Sequence, residues 1–174
     1  MADELVDVVD ENDKIIGQEM KWICHEKGFW HRIAGVLLFN SEGKIWLQTR
    51  NKKKTGGGLL DFSASGHIGA GDSSLRGAYR EMEEELGIKT NLKVGNIKIF
   101  EDYAYDKNSK VKHVINLFLG NYNGPFKIQE EELEDIQAYS TEDIKKFMKK
   151  EPPIMTEGLK LTLKEYFKQN DFQQ

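Results

Sequence analysis

Three glutamates in the middle of the chain, Glu81, Glu84 and Glu85, have the spacing i, i+3 and i+4. Residues at these spacings are neighbours on a helix surface, and like charges there destabilise the helix by about 0.2–0.5 kcal/mol per pair. A divalent cation would remove the repulsion, and carboxylate oxygens favour Mg²⁺ or Mn²⁺ over zinc. The spacing therefore predicts a magnesium site, with manganese as the second choice of ion. The alternative is an acidic helix face exposed to water.

The segment before these glutamates, residues 65–71, contains three glycines, which allow a tight turn and a close approach of the backbone to a ligand. A helix is predicted from Asp72 to Leu86. Asp72 or Ser73 would accept a backbone hydrogen bond as the N-cap, and Gly87 would end the helix. The predicted apolar face, opposite the glutamates, contains Leu75, Ala78, Tyr79, Met82 and Leu86. The chain thus places a glycine loop, a helix and an acidic cluster in succession.

The sequence of residues 66–88, GHIGAGDSSLRGAYREMEEELGI, resembles the Nudix box, G-x5-E-x7-R-E-U-x-E-E-x-G-U, in which U is a bulky aliphatic residue. The matching residues are Gly66, Arg80, Glu81, Met82, Glu84, Glu85, Gly87 and Ile88. A motif this long and gapped is specific, and the strand order extends a looser likeness over about residues 30–150. The one departure is Asp72, where the family has glutamate. Because aspartate is one methylene shorter, we predict that Asp72 caps the helix rather than reaching the metal.

The resemblance implies that the chain hydrolyses a diphosphate linkage in a small molecule. Glu81, Glu84 and Glu85 would bind the metal. The backbone carbonyl of Ser65 would be a further ligand, and Arg80 would orient Glu81 by a charge-assisted hydrogen bond. A metal bound in this way polarises phosphoryl oxygens and lowers the pKa of a bound water.

Further roles fall on residues outside the helix. The family often uses a glutamate in a late loop as the general base, and the spacing to the last predicted strand favours Glu132 here. The other candidates in this acidic loop are Glu130, Glu131 and Glu134. Gly66 and His67, in the glycine loop, would contact substrate phosphate. Arg50, beside the lysines at 52–54, would bind a leaving-group phosphate; the alternative, which we favour for the lysines, is a solvated loop.

Residues 8–12, 25–32 and 65–67 resemble Nudix proteins related to isopentenyl-diphosphate isomerase. In the isomerase a cysteine directly precedes the Gly-His pair, and glutamates in a later strand bind metal and protonate the substrate. Here Ser65 replaces that cysteine, and residues 111–116 contain no glutamate. Because a serine hydroxyl is a far weaker acid than a thiol, isomerase activity is disfavoured.

His25, His31 and His67 are the residues that would form the isomerase-like metal site. The alternative is that they are ordinary polar or half-buried side chains. We favour this alternative, because histidines so far apart in a sequence rarely converge and the required glutamates are missing. A third function, non-catalytic sensing of a nucleotide or sugar diphosphate, is disfavoured by the intact Arg80 and box glutamates.

The predicted fold is a single α/β domain over residues 1–174, the Nudix α/β/α sandwich, with a mixed β-sheet between helices. It would comprise an N-terminal extension with a β-hairpin (1–29), the Nudix core (30–150) and a C-terminal helix (151–174). Further strands are predicted at 33–39, 44–48, 61–68, 91–103, 111–122 and 136–139, and further helices at 141–149 and 155–167.

Composition narrows the class of protein. The 174 residues carry a net charge of −4, which disfavours a broad electrostatic surface for nucleic acid. The only cysteine, Cys24, is typical of a reducing compartment, and the longest apolar runs are too short to cross a bilayer. The first residues lack the pattern of a signal peptide. We therefore predict a cytoplasmic enzyme with a small-molecule diphosphate substrate and no nucleic-acid or membrane partner. The sequence leaves the oligomeric state open, with a homodimer suggested by analogy alone. Substrate identity depends on loops outside the box.

Overall fold

The computed structural model describes residues 4–106 and 109–171. Its strands are β1 (Leu5–Val9), β2 (Ile15–Met20), β3 (His31–Phe39), β4 (Ile45–Arg50), β5 (Leu60–Asp61), β6 (Ala64–His67), β7 (Leu92–Asp106), β8 (Ser109–Asn121) and β9 (Leu133–Tyr139). Its helices are α1 (Lys21–Lys27), α2 (Ser74–Leu86), α3 (Thr141–Phe147) and α4 (Glu157–Asp171). Residues 1–3 of the predicted extension and 172–174 of the predicted C-terminal helix lie outside the described residues. Within the described ranges, no helix has the length and apolar character needed to cross a membrane.

All strands of the described ranges belong to one mixed sheet, in which β3 has the most neighbours. β3 runs parallel to β8 over its whole length, from His31 opposite His113 to Phe39 opposite Asn121. It pairs antiparallel with β4 and β6, and through His31 opposite Val8 with β1. The hairpin formed by β1 and β2 is thereby attached to the same sheet. The predicted mixed sheet and N-terminal hairpin are confirmed.

The side chains of β3 enter two separate parts of the hydrophobic core. Val36 and Leu38 pack with buried residues of α2, such as Met82. Leu37 packs with buried residues of α3 and α4, such as Leu159. Because alternate side chains of a strand point to opposite faces of the sheet, helices must cover both faces. Burying one leucine side chain stabilises the fold by about 1.5–3 kcal/mol, so both layers contribute to stability. The predicted α/β/α layering is confirmed.

The box helix α2 begins two residues later than predicted. Its N-cap is Ser73, whose hydroxyl accepts a hydrogen bond from the Arg76 amide at 3.2 Å, so the prediction that Asp72 caps the helix is wrong. Gly87 ends the helix as predicted, with a left-handed φ of 64° that favours glycine.

The buried face of α2 also differs from the predicted apolar face. Its members are Gly77, Ala78, Met82, Glu85 and Leu86. Leu75 and Tyr79, which were predicted to belong to this face, are each 38% exposed, because they lie at the edges of a stripe centred on Ala78 and Met82. The stripe thus contains a carboxylate, Glu85, which is 7% exposed and lies at the cleft beside α2.

The two C-terminal helices have shifted ends. α3 is capped by Ser140 rather than by Thr141: the Ser140 hydroxyl accepts a hydrogen bond from the Asp143 amide at 3.1 Å. α4 begins later than predicted and extends to Asp171. Just before α4, the Thr156 hydroxyl donates to the Asp61 carboxylate at 2.8 Å. This bond ties the start of α4 to the sheet beside the candidate site.

Candidate active site

A cleft with a volume of about 770 Å³ lies beside α2. Its lining includes all the residues to which the sequence assigned a catalytic, metal-binding or substrate-binding role: Arg50, Ser65, Gly66, His67, Arg80, Glu81, Glu84, Glu85 and Glu132. They come from β4, β6, α2 and the loop before β9. The first residues of the predicted glycine loop therefore belong to a strand, which fixes their position relative to the glutamates of α2.

Glu85 is the most buried of the three box glutamates. One of its oxygens, Oε2, accepts hydrogen bonds from the Ser65 amide at 3.0 Å and from Gln48 Nε2 at 3.1 Å. Burial, followed by the charge of Glu81, raises the pKa of Glu85 well above its usual value, and the two hydrogen bonds only partly oppose this rise. The site therefore holds a buried carboxylate that a bound cation would stabilise.

Glu81 lies against Gly66, and the contact requires a glycine. A Cβ atom added at Gly66 would lie 2.2 Å from Glu81 Cδ, well inside van der Waals contact. Arg80 Nη2 donates to Glu81 Oε1 at 2.9 Å, which is the hydrogen bond predicted from the sequence. Burial raises the pKa of Glu81, while the bond with Arg80 opposes the rise. Gly66 and Arg80 together fix the position of the Glu81 carboxylate.

Glu84 completes the acidic part of the lining and is the exposed member of the three. The three carboxylates thus face one cavity, and burial disfavours the charged form of two of them, Glu81 and Glu85. Oxygen donors of this kind fit a hard divalent cation such as Mg²⁺. The predicted alternative, a helix face entirely exposed to water, is wrong for Glu81 and Glu85.

Arg80 connects the acidic helix face to other segments. Its Nη2 atom donates to the backbone carbonyl of His67 at 2.5 Å and lies 3.1 Å from Glu4 Oε1. Its Nη1 atom lies 3.8 Å from Asp72 Oδ2, and Asp72 also pairs with Arg76 at 3.2 Å. Asp72 therefore forms ion pairs with Arg76 and Arg80. The contact of Glu4 with Arg80 was not predictable from local sequence, because it depends on the pairing of the N-terminal hairpin with β3.

Glu132 is the one of the four acidic-loop glutamates that lines the cleft. Its Oε2 atom lies 2.5 Å from Lys54 Nζ, and Lys54 is only 26% exposed. The prediction of a solvated lysine loop is therefore wrong for Lys54. Arg50 also lines the cleft, but its Nη1 atom pairs with Asp61 Oδ2 at 2.7 Å and its Nε donates to the Thr55 carbonyl at 3.0 Å.

The four histidines of the chain converge at one place. His25 Nε2 lies 3.1 Å from His31 Nε2, 3.3 Å from His67 Nε2 and 3.5 Å from His113 Nε2. The expectation that His25, His31 and His67 lie apart is therefore wrong. The cluster is assembled by α1, β3, β6 and β8, and His113 is opposite His31 in the parallel pairing of β3 and β8. Sequence reasoning missed His113, because this pairing leaves no local signal.

Buried polar groups surround the histidine cluster. His113 Nδ1 lies 3.1 Å from Glu101 Oε2, and His31 Nδ1 lies 2.9 Å from the Phe29 carbonyl oxygen. Burial lowers the pKa of His31 to about 3, with a further contribution from His113, and lowers the pKa of His113 to about 4. Burial and the charge of Asp61 raise the pKa of Glu101 to about 7, against the hydrogen bond from the Gly158 amide. The imidazoles of His31 and His113 are therefore neutral at physiological pH.

Comparison with known proteins places the chain in a family. The sequence profile of the NUDIX domain matches residues 29–158. An uncharacterized Nudix hydrolase of Clostridium acetobutylicum is 35% identical over 116 residues, which are 62% of this chain and 55% of that relative. The alignment thus spans little more than half of this relative's length. The isopentenyl-diphosphate Δ-isomerase of Serratia proteamaculans is 31% identical over 124 residues, which are 70% of this chain and 68% of the isomerase.

A solved structure shares the architecture. A Deinococcus radiodurans protein superposes with a TM-score of 0.74 at 16% sequence identity, over 94% of this chain and 99% of that chain. At this identity the likeness concerns the fold. The profile match covers the box helix, most of the cleft lining and most of the sheet, and it identifies the chain as a member of the Nudix family.

Proposed function

We propose that the chain is a hydrolase that cleaves a diphosphate linkage in a small molecule with Mg²⁺ as its metal ion. The observation that carries the proposal is the convergence of the Glu81, Glu84 and Glu85 carboxylates on one cleft. Family membership supports the same reaction class. In this reaction water adds to one phosphorus, the bridging P–O bond breaks, and two phosphorylated fragments leave.

The metal would be held by the carboxylates of Glu81, Glu84 and Glu85, with the Ser65 carbonyl as a further donor. When bound, it would polarise the phosphoryl oxygens and lower the pKa of a bound water. Support for a hard ion comes from the oxygen donor set and from the unfavourable burial of two of these charges. Mn²⁺ is the alternative ion for the same donors.

Arg80 and Gly66 would act by positioning Glu81. The hydrogen bond of 2.9 Å from Arg80 holds one carboxylate oxygen, and the missing side chain at Gly66 leaves room for the carboxyl group. A displacement of about 1 Å at a reacting centre can reduce a rate by roughly 100-fold. The two residues would therefore support catalysis by fixing the position of Glu81.

Other side chains of the cleft lining would bind the substrate or accept a proton from the attacking water. Lys54 and Arg50 would attract phosphate, and His67 and Gly66 would face the same group. The Glu132 carboxylate would accept the proton of the attacking water, since Glu132 lines the cleft whereas the neighbouring loop glutamates do not. The volume of about 770 Å³ is within the range of about 300–1,000 Å³ that is typical of small-molecule sites.

An isomerase-like reaction on an isoprenoid diphosphate is the second candidate, and one observation now favours it. The histidines that the isomerase resemblance requires do converge here. Ser65 still stands where the isomerase has cysteine, which argues against proton transfer at that position. Product analysis with isopentenyl diphosphate separates the two, because isomerisation gives an allylic diphosphate and hydrolysis releases phosphate.

The direct test is a screen for phosphate release from nucleotide sugars, dinucleoside polyphosphates, coenzymes and isoprenoid diphosphates, each with Mg²⁺ and with a chelator. We expect cleavage of at least one diphosphate linkage that requires the metal. Cleavage that persists in the chelator, or an allylic isomer as the sole product, would contradict the proposal. A cytoplasmic location, a homodimer and the absence of a nucleic-acid partner stay predictions.

A further inference from the structure

We propose that Asp61 is a positioning residue, which holds the Arg50 guanidinium group in the orientation that binds a phosphate of the substrate. The inference rests on the proposed diphosphate hydrolase, in which Arg50 would contact phosphate. It gives a role to a buried carboxylate that lies outside the box helix.

The ion pair between Arg50 and Asp61 is built into the wall of the cleft. Arg50 Nη1 lies 2.7 Å from Asp61 Oδ2, and both residues line the cleft. Asp61 is only 5% exposed, whereas the Arg50 side chain is 27% exposed. The arginine is therefore the member of the pair that a substrate in the cleft reaches more readily.

The second oxygen of Asp61 fixes the carboxylate. Asp61 Oδ1 accepts hydrogen bonds from the Thr156 hydroxyl at 2.8 Å and from the Phe62 amide at 2.9 Å. Thr156 directly precedes α4, and Phe62 directly follows β5. The carboxylate cannot rotate without losing these bonds. Because charge-assisted hydrogen bonds are strong and add geometric specificity, a fixed carboxylate also fixes Arg50 Nη1.

Arg50 is held at further points. Its Nε donates to the Thr55 carbonyl at 3.0 Å. Its backbone amide donates to the Leu59 carbonyl at 3.0 Å, and its carbonyl accepts from the Gly58 amide at 2.9 Å. The register of β4 with β9 shifts between Thr49 and Arg50, and such irregularities often re-aim a side chain next to an active site. Two guanidinium nitrogens and the backbone are thus fixed before substrate binds.

A fixed guanidinium group binds phosphate better than a mobile one. Arginine recognises phosphate through a planar fork of donors, so the orientation of the plane matters. A long side chain that becomes ordered only on binding reduces the affinity, and prior fixation removes that cost. If the phosphate contact is equal in the ground state and the transition state, its loss raises KM and leaves kcat nearly unchanged. Asp61 would therefore support substrate binding more than the chemical step.

The alternative is an ion pair that only stabilises the fold, and the chain offers a matched pair for comparison. Arg32 Nε lies 2.6 Å from Asp13 Oδ1, and the Asp13 side chain is 9% exposed. Neither of these two residues lines the cleft. Two structural pairs would affect stability alone, whereas a positioning role predicts that only the Asp61 pair affects substrate binding.

The test measures KM and kcat with the substrate found in the screen, and the Kd of methylenediphosphonate with Mg²⁺ by calorimetry. This analogue contains a P–C–P linkage that hydrolysis does not cleave. We expect Asp61→Asn to raise both KM and Kd about tenfold, since it removes the charge from a hydrogen bond to Arg50. The change in kcat should stay within about threefold. Asp13→Asn should leave KM and Kd unaltered, although both variants lose thermal stability.

A double variant tests whether Asp61 acts through Arg50. Arg50→Gln should raise the Kd of methylenediphosphonate at least as much as Asp61→Asn. Adding Asp61→Asn to Arg50→Gln should cause no further increase, because the group to be positioned is already absent. Additive increases would show that Asp61 affects binding independently of Arg50 and would overturn the proposal.

Three other results would also overturn it: wild-type KM and Kd in a folded Asp61→Asn variant, an equal change in Asp13→Asn, or no binding of methylenediphosphonate to the wild type. If Asp61→Asn does not fold, Thr156→Val keeps the ion pair and removes the hydroxyl that fixes the carboxylate. It should raise Kd about threefold, and an unchanged Kd would contradict the proposal. A wild-type chain that binds the analogue but cleaves no linkage in the screen would contradict the hydrolase alone, because the Kd comparison still tests Asp61.

Discussion

Two parts of the same cleft present opposite donor chemistry. The acidic part consists of Glu81, Glu84 and Glu85 and offers charged oxygens from a single helix, α2. The histidine part offers ring nitrogens from four separate elements. Because oxygen and nitrogen donors favour different ions, a metal bound by the histidine part would be of the zinc class, whereas the acidic part favours Mg²⁺. Donor type therefore distinguishes the two parts, although they lie in the same cleft.

Arg80 joins the two parts physically. Its Nη2 atom contacts both the Glu81 carboxylate and the backbone carbonyl of His67, at 2.9 and 2.5 Å. Gly66, which directly precedes His67 in the chain, lies against the Glu81 carboxyl group. A substitution at Arg80 or Gly66 therefore first affects Glu81 in the acidic part. A substitution at Glu101 first affects His113 in the histidine part.

Gly66→Ala is expected to act on the acidic part with a large effect. The added methyl group would lie 2.2 Å from Glu81 Cδ, so the flexible end of Glu81 must move while the backbone stays in place. We expect turnover to fall by about 100-fold, because a small displacement at a reacting centre is costly. Steady-state kinetics with the substrate found in the screen would measure the loss.

Gly69→Ala is the control for this substitution. A Cβ atom there would meet Arg80 Nη1 and Asp72 Oδ2 at 3.5 Å, which is ordinary contact, and turnover should change little. Equal losses in the two variants, or full activity of a folded Gly66→Ala variant, would show that the Glu81 position does not limit the reaction.

Glu101→Gln is expected to act on the histidine part. Loss of a carboxylate that supports a ligand histidine typically lowers metal affinity by about 10–100-fold. Competition titration with a zinc chelator would measure the change. Asp102→Asn, on the exposed face of the same strand, is the matched control and should leave zinc affinity unaltered. If both variants bind zinc like the wild type, Glu101 does not orient His113 for a metal.

Glu85→Gln should stabilise the metal-free protein, by the smallest of the expected free-energy changes, and should lower turnover, because it removes a buried charge that the metal would need. The glutamine oxygen can keep the hydrogen bonds from Ser65 and Gln48, because both reach the same carboxylate oxygen. Removing the buried charge should raise the free energy of unfolding of the metal-free protein by about 1–2 kcal/mol. Urea unfolding in the presence of a chelator measures this free energy. A variant less stable than the wild type would mean that the buried charge of Glu85 does not destabilise the metal-free fold.

The acidic part was predictable because its information is local. A spacing of i, i+3 and i+4 within one helix is sufficient to place Glu81, Glu84 and Glu85 together, and Gly87 marks the end of the helix. The burial of Glu85 was not predictable. It depends on how α2 rotates against the sheet, and that rotation also leaves Leu75 and Tyr79 at the edge of the buried stripe.

The histidine part could not be predicted from local patterns. His31 and His113 meet because β3 and β8 pair in parallel, and no residue near either histidine specifies that pairing. Glu4 reaches Arg80 for a similar reason, since β1 must first attach to β3. Asp72 was assigned as the cap because both Asp72 and Ser73 have suitable side chains, and the start of the helix decides between them.

The most direct test of the proposed hydrolase compares two neighbouring glutamates of α2. Glu84 lines the cleft, whereas Glu83 is exposed and pairs with Lys89 at 2.9 Å. Turnover and Mg²⁺ binding are measured for Glu84→Gln and Glu83→Gln, with thermal unfolding as the check on folding. We expect a loss of turnover on the order of 100-fold or more with weakened Mg²⁺ binding in the first variant, and a change within about twofold in the second. A folded Glu84→Gln variant with wild-type turnover, or equal losses in both, would contradict the assignment of the acidic helix face as the metal site.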